Sequence, residues 1–264
     1  MSFEILISLS SFGAAEVGRH GQLWCSQLAR AAGADSAEVR GELLRDASAG
    51  APAGADAELQ ALRGLARVYS SPEGLWTEGG WLDSAALKRG IDAATRLGAT
   101  RLKMSIGGFQ PSSYGSLWGL KVELAQTRIE LLIENDQTVR AGTLAALQTF
   151  FGVADRAGVL LGMTFDMGNW HWVGECPLQA AQALAHRVRY VHCKGVQRLP
   201  HKWVAVPLAE SAAPWRAVLR ALPADVPHAI EYPLVGDDLL AVTRAEVALI
   251  RDLHAERSAK HERA

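Results

Sequence analysis

Four residues in the second half of the chain carry side chains that bind metal ions: Glu134, Asp166, His192 and Glu231. Each ends a short apolar run. Ile129-Glu130-Leu131-Leu132-Ile133 leads into Glu134, Phe165 precedes Asp166, Tyr190-Val191 precedes His192, and Ala229-Ile230 precedes Glu231. Runs of this length and composition read as buried strands, so each of the four belongs at the rim of a core and not out on a helix. Three carboxylates and an imidazole form a hard-to-borderline donor set suited to one divalent ion: Mn²⁺, Mg²⁺ or Co²⁺, and less specifically Zn²⁺. Without a cation, three gathered carboxylates repel and raise one another's pKa. A single acid or His at a strand end is usually a loop hydrogen-bonder; four successive strands that end alike point to a metal.

Adjacent strand ends on a curved wall are what such a set requires. Apolar runs of strand length alternate with helical patterns along the whole sequence. Strands are expected over 5–10, 36–43, 66–70, 101–106, 129–133, 159–165, 188–193 and 228–230. Helices are expected over 21–32, 59–65, 82–97, 117–127, 142–156, 178–186, 215–221 and 238–254. Asp83-Ser84 is a plausible cap for the third of these helices, and the Ala/Gly/Ser-rich stretch 46–56 reads as a loop. Eight strand–helix units in about 250 residues have the size of an α/β protein built as a single (β/α)8 TIM barrel. The barrel takes residues 1–255, and the charged tail 256–264 is expected to fray. A doubly wound sheet would carry a Gly-rich phosphate turn after its first strand; here that position reads Ser10-Ser11-Phe12-Gly13.

Of the 264 residues, 49 % are hydrophobic and the net charge is −1. The first figure provides for a sizeable core, and the second removes the basic balance that nucleic acids or anionic membranes select. Three well-separated cysteines, Cys25, Cys176 and Cys193, give no disulfide framework and fit a reducing compartment. The start, Met1-Ser2-Phe3-Glu4, lacks the basic region of a signal peptide, and no apolar stretch approaches the roughly 20 residues of a membrane helix. A cytoplasmic location is expected, with no membrane and no nucleic-acid partner. Assembly into a homo-oligomer is left open.

The ordered pieces Ile133-Glu134-Asn135, Phe165-Asp166-Met167-Gly168-Asn169, Val191-His192-Cys193-Lys194, Val206-Pro207-Leu208 with Trp215, and Ala229-Ile230-Glu231 resemble the xylose isomerase-like barrel superfamily, the sugar phosphate isomerase/epimerase family. The resemblance covers nearly the whole chain in element order. The nearest chemistry is that of the ketose 3-epimerases and hydroxypyruvate isomerase. It implies that Glu134 and Glu231 are both metal ligands and acid/base catalysts on opposite faces of the substrate, and that Asp166 and His192 are ligands only. The ketose 3-epimerases carry a His three residues after the Asp, where this chain has Asn169, with His171 two residues on. The Arg they carry shortly after the metal His has as its counterpart Gln197 or the adjacent Arg198. Endonuclease IV shares the barrel but uses a larger His-rich cluster that this chain lacks.

Further candidates line the expected mouth. Lys194, two residues beyond His192, shares its side of the strand and is a candidate to stabilise an enediolate or a phosphate; a solvated loop charge is the alternative. Trp76, Trp81, Trp170, Trp172 and Trp203 follow strand ends and offer aromatic faces to a sugar, while Trp24, Trp118 and Trp215 read as packing. Asn169, His171, Trp170, Trp172, Trp203 and Arg198 form the expected substrate-binding set; Lys103 and His201 are weaker candidates. Glu38, Arg40 and Glu42 alternate along the second strand, as a salt-bridged wall or a catalytic face would. Cys193 is expected to be a core thiol. The sequence therefore describes a metal-dependent isomerase or epimerase acting on a small carbohydrate or hydroxy-keto acid. The alternatives are a dehydratase or lyase of the inosose or dehydroshikimate type, and a non-catalytic sugar-binding barrel, which would not need both glutamates.

Overall fold

The computed structural model of the protein describes residues 3–44 and 54–261. Seven parallel strands follow one another: β1 (Ile5–Ser8), β2 (Ser36–Arg40), β3 (Ala66–Trp76), β4 (Arg101–Gly107), β5 (Glu130–Glu134), β6 (Gly162–Asp166) and β7 (Val188–Cys193). An antiparallel hairpin, β8 (Gly195–Arg198) and β9 (Trp203–Val206), precedes the last barrel strand, β10 (His228–Ile230). β10 pairs with both β7 and β1 and closes the barrel. The helices are α1 (Ala14–Ala31), α2 (Gly54–Ala61), α3 (Ser84–Leu97), α4 (Leu117–Leu124), α5 (Val139–Gly142), α6 (Leu144–Arg156), α7 (Pro177–Leu184), α8 (Trp215–Ala221) and α9 (Leu239–His261). The single (β/α)8 barrel expected from the alternation of strand and helix patterns is the fold observed. Among the described residues no helix is long and apolar enough to cross a membrane.

Strand periodicity builds the site. Side chains two apart on a strand share a face. Leu6, Val68, Leu132, Tyr190 and Ala229 form an apolar plug inside the barrel. Two residues further along the same strands stand Ser8, Ser70, Glu134, His192 and Glu231. The intervening residues, among them Ile7, Tyr69, Ile133, Val191 and Ile230, point outward into the main core against the helices. The polar layer therefore lies on a dry floor at the C-terminal mouth, where barrels of this kind carry chemistry.

Local signals fix the helices around it. The Asp83 carboxylate caps α3 by accepting from the Ala86 N–H at 2.8 Å, and Gly98 ends the helix in the left-handed region at φ 72°. α1 begins earlier than its apolar pattern indicated and breaks at Gly21, where φ is 82°. β3 extends six residues beyond Ser70 through an irregularity, and Gly74 passes so close to β4 that an added Cβ would stand 2.8 Å from the Gly107 Cα. Most of the stretch read as a loop, 46–56, lies outside the described residues; 54–56 open α2. α9 continues to His261, through part of the segment read as a fraying tail.

At the opposite end of the barrel, His228 opens β10 fully buried, its Nδ1–H donating to the Val226 carbonyl at 2.8 Å and its ring 4.9 Å from that of Phe3. Burial lowers its pKa to about 3. An imidazole kept neutral in the fold but free to protonate at about 6.5 in the unfolded chain binds more protons when unfolded below that pH. Its contribution is thus present above pH 6.5 and is lost as the pH falls toward 3, by up to about 5 kcal/mol at 1.36 kcal/mol per pH unit. Denaturant melts of the wild type and His228→Gln between pH 7 and 4 should converge as the pH falls, because the variant lacks this titration. Parallel pH dependences would show that His228 does not carry the acid sensitivity.

Candidate metal centre

Glu134, Asp166, His192 and Glu231 each present one ligand atom, and these four atoms lie within 4.8 Å of one another. Bond lengths of roughly 2.0–2.6 Å to a divalent ion allow atoms so spaced to share one centre. Among the described residues this is the only such group. Asp166 ends β6 and is paired in register with His192 on β7; Glu134 ends β5; Glu231 follows β10 directly, its N–H bonded to the Cys193 carbonyl at 3.0 Å.

Each ligand is held by a different device. The Asp166 Oδ1 accepts the backbone N–H groups of Gly168 and Asn169 at 2.7 and 2.9 Å. The Asn135 side chain, next to Glu134, clamps the Asp166 backbone on both sides, with Oδ1 accepting its N–H and Nδ2 donating to its carbonyl. His192 is fully buried, with Nε2 2.8 Å from Glu38 Oε2. Nδ1 faces the other acids, 2.7 Å from Glu231 Oε2, 3.1 Å from Glu134 Oε1 and 3.8 Å from Asp166 Oδ2. With Nε2–H donating to Glu38 and Nδ1 freed of its proton, the ring would turn a lone pair to the point where three carboxylates converge, a position a divalent ion can take. A carboxylate behind the ring is the usual orienting partner of a metal-bound His. The donor set and its support fit a divalent ion.

Three basic side chains surround the acids. Lys103, buried, reaches Glu134 Oε1 at 2.8 Å and Glu38 Oε1 at 3.4 Å. Arg40 reaches Glu231 Oε1 at 2.5 Å and Glu38 Oε1 at 3.4 Å. Lys194 reaches Asp166 Oδ2 at 2.5 Å, Glu231 Oε2 at 2.9 Å and Asn169 Oδ1 at 3.1 Å. Burial alone would raise the Glu231 carboxyl, but the charges of His192, Lys194 and Lys103 overcome it and hold the group well below the ordinary carboxylate range. Burial works against the His192 imidazolium too, yet Glu231 and Glu38 raise its pKa well above the ordinary value.

Of the expected mouth residues, Lys194 and Asn169 meet the acids. Asn169 also accepts from Gln137 Nε2 and donates to the Asn135 carbonyl. The His171 ring lies 4.7 Å from that of Trp203, tilted at 45°, and the Arg198 guanidinium is 5.2 Å from the Trp203 ring; Arg198 is also paired with Trp203 across the hairpin. Arg198 is the sixth residue after His192. Trp172 is half-buried at the end of the turn after β6.

Trp170 departs from the expectation of a substrate wall. It is fully buried, with its ring 5.3 Å from Phe165 in the main core, because the tight turn closed by Asp166 Oδ1 directs it inward. Trp76 is likewise buried and donates to Ser116 Oγ. Trp118, expected to pack, is 68 % exposed, while Trp215 packs as expected. Cys193 is a core thiol, its pKa raised to about 12 by burial. His201 is exposed. Glu38, Arg40 and Lys103 are more central than the sequence indicated. The alternation along β2 was the signal, and the wall is both ion-paired and part of the site.

No protein-family model matches the chain, and no curated protein matches it. Solved structures share the fold. A xylose isomerase domain protein from Alicyclobacillus acidocaldarius is 21 % identical, with 97 % of this chain and 100 % of that one covered and a TM-score of 0.66. An L-ribulose 3-epimerase is 18 % identical, with 99 % and 97 % covered and a TM-score of 0.69. The probable 3-DHS dehydratase AsbF of Bacillus anthracis is 15 % identical, with 94 % and 99 % covered and a TM-score of 0.66. The protein is thus a parallel barrel with a metal-type donor set at its C-terminal mouth. Its fold is that of the xylose isomerase-like TIM barrels.

Proposed function

We infer that the protein is an enzyme that moves a proton at a carbon next to a carbonyl, as a divalent-metal-dependent isomerase or epimerase of a small sugar or hydroxy-keto acid. The observation that carries this reading is the approach of two carboxylates, Glu134 and Glu231, to the same atom, His192 Nδ1, at 3.1 and 2.7 Å. A substrate carbon above that point has a base within reach of each glutamate. An ion held by Glu134, Asp166, His192 and Glu231 supplies Lewis acidity that polarises the carbonyl and acidifies the neighbouring C–H.

The side chains divide the remaining work. One glutamate takes the proton and the other returns it, to the neighbouring carbon in an isomerase or to the opposite face in an epimerase. Lys103 and Arg40 keep the two glutamates ionised and oriented. Asp166, fixed by two backbone N–H groups, serves as a ligand only. Lys194 offers an ammonium to the oxygen that gains charge in the enediolate. Asn169 positions Lys194, and His171, Trp172, Trp203 and Arg198 supply the outer wall. Dehydration is the second reading. It is supported by the fold shared with the probable 3-DHS dehydratase. The thiols Cys25, Cys176 and Cys193, all free, support a reducing, cytoplasmic site of action.

The test is hydrogen exchange. Ketoses and hydroxy-keto acids incubated with Mn²⁺-loaded protein in deuterated water should gain deuterium at the carbon next to the carbonyl in at least one case, seen by NMR. Loss of water in place of isomerisation would identify the dehydratase. A panel with neither exchange nor product would refute the reading.

A further inference from the structure

The outward face of α4 is apolar. A 3-10 helix, Pro111–Ser116, runs directly into it, and Leu117 and Leu120 are buried in the main core. Tyr114, Trp118 and Val122, spaced by four residues, share the other face and are 37, 68 and 42 % exposed. A surface helix normally turns polar side chains to water. Here the two charged residues of α4 are engaged beside that face. Lys121 lies 5.8 Å from the centroid of the Trp118 ring, and Glu123 pairs with Lys88 of α3 at 3.2 Å.

Neighbouring segments extend the surface. The Ser113 Oγ donates to the Gly80 carbonyl at 2.7 Å, Gln110 Nε2 to the Gly79 carbonyl at 3.0 Å, and Arg140 Nη1 to the Glu78 carbonyl at 3.2 Å. These bonds bring Trp81, 77 % exposed, and Val139, 72 % exposed, beside the helix. A cavity of about 270 Å³ opens among them, lined by Ile106, Phe109, Tyr114, Ala145, Ala146 and Arg140. It shares no residue with the metal-type centre. Among the described residues, neither the Glu78 carboxylate nor the Arg140 guanidinium has an ion-pair partner.

At about 150–250 Å² per aromatic side chain, Trp81, Trp118 and Tyr114 leave on the order of 300–450 Å² of aromatic surface in water. That is about half of the roughly 800 Å² each partner buries in a stable interface, and such aromatics are what interface cores collect. The surface also carries both halves of a fit: projecting indoles and a recess, an unpaired acid and an unpaired guanidinium. Self-complementarity of this kind is what a twofold contact requires.

We propose that this face joins two copies of the chain about a twofold axis, with the exposed indoles of each seated against the recess of the other and Glu78 and Arg140 pairing across the axis. The segment after β5 links the contact to the centre, since Glu134 and Asn135 lead into Val139 and Arg140.

Sedimentation velocity over a concentration series tests this. The wild-type chain should form a dimer with a Kd of about 1 μM or tighter, the weak end for interfaces of standard size. Trp118→Ala should raise that Kd at least about 30-fold, as loss of a central aromatic does, with an unchanged circular dichroism spectrum because the side chain packs on nothing in the single chain. Ala145→Arg, which fills the recess from its exposed rim, should do the same from the other half of the fit. Glu78→Arg should weaken the dimer by placing like charges across the axis, and adding Arg140→Glu should restore it. A wild-type chain that stays monomeric throughout would overturn the proposal and leave the face to a different partner. A dimer indifferent to both Trp118→Ala and Ala145→Arg would overturn it by placing the contact elsewhere.

Discussion

Glu134→Gln and Glu231→Gln should each keep the fold and part of the metal affinity and lose about 10²- to 10⁴-fold in turnover, the range ascribed to general acid–base catalysis. Gln is nearly isosteric and still offers an oxygen, but at neutral pH it cannot accept a proton. The environments of the two residues make the variants distinguishable. Glu134 has one cation in contact, Lys103 at 2.8 Å. Glu231 has two, Arg40 at 2.5 Å and Lys194 at 2.9 Å. A group held ionised by more positive charge is the weaker base, so Glu134 is the better choice to abstract and Glu231 to return. Glu231→Gln should then still wash substrate hydrogen into deuterated water while forming no product, and Glu134→Gln should do neither. The comparison requires metal content to be measured in each variant. If both retain near-normal turnover with metal bound, the two-glutamate scheme is wrong, and Lys194 becomes the group to test.

The three acids and the His were legible because each follows an apolar run that could only be a buried strand, and a charged side chain ending such a run has nowhere to go but the rim. His192 after Tyr190-Val191 and Glu231 after Ala229-Ile230 are the clearest cases. Glu38, Arg40 and Lys103 were harder. Their alternation on β2 and β4 says which face they share but not what lies opposite. Glu38 meets His192 across 154 residues of sequence, only because β10 closes the barrel between β7 and β1. No local pattern encodes that encounter.

The loops were read least well, for identifiable reasons. Trp170 is four residues from Asp166, and proximity to a ligand suggested the mouth. Its direction is set by two backbone N–H groups converging on Asp166 Oδ1, a turn that composition does not announce. The hairpin of β8 and β9 did leave a signal, two short runs with Val and Trp around Leu199–Lys202. The strand–helix repeat absorbed it. Its consequence is chemical, since Ala205 lines the cavity that opens on Lys194 and Glu231, and Trp203 lies against His171 with the rings tilted.

The purified protein should bind about one divalent ion per chain, and Asp166→Ala or His192→Ala should abolish most of that binding. Removing either leaves the remaining carboxylates with the ammonium groups of Lys103 and Lys194, which already contact Glu134, Asp166 and Glu231 and compete with the ion for the same oxygens. Glu38→Gln tests the support behind the ring. It keeps all four ligands but replaces the carboxylate that fixes the His192 tautomer, and should weaken metal binding by about 10- to 100-fold, the usual cost of losing such a partner. Proton release gives a second readout. Glu231 and Glu38 raise the His192 pKa, so the ring is protonated at neutral pH before metal arrives. Uptake of the ion at Nδ1 must displace that proton. Metal affinity should therefore fall as the pH is lowered, and titration in buffers of different ionisation enthalpy should show about one proton released per ion bound. Elemental analysis showing unchanged metal in both alanine variants would sink the site. Uptake without proton release would mean that the ion does not meet His192 Nδ1, and that the ring stays an imidazolium among the acids.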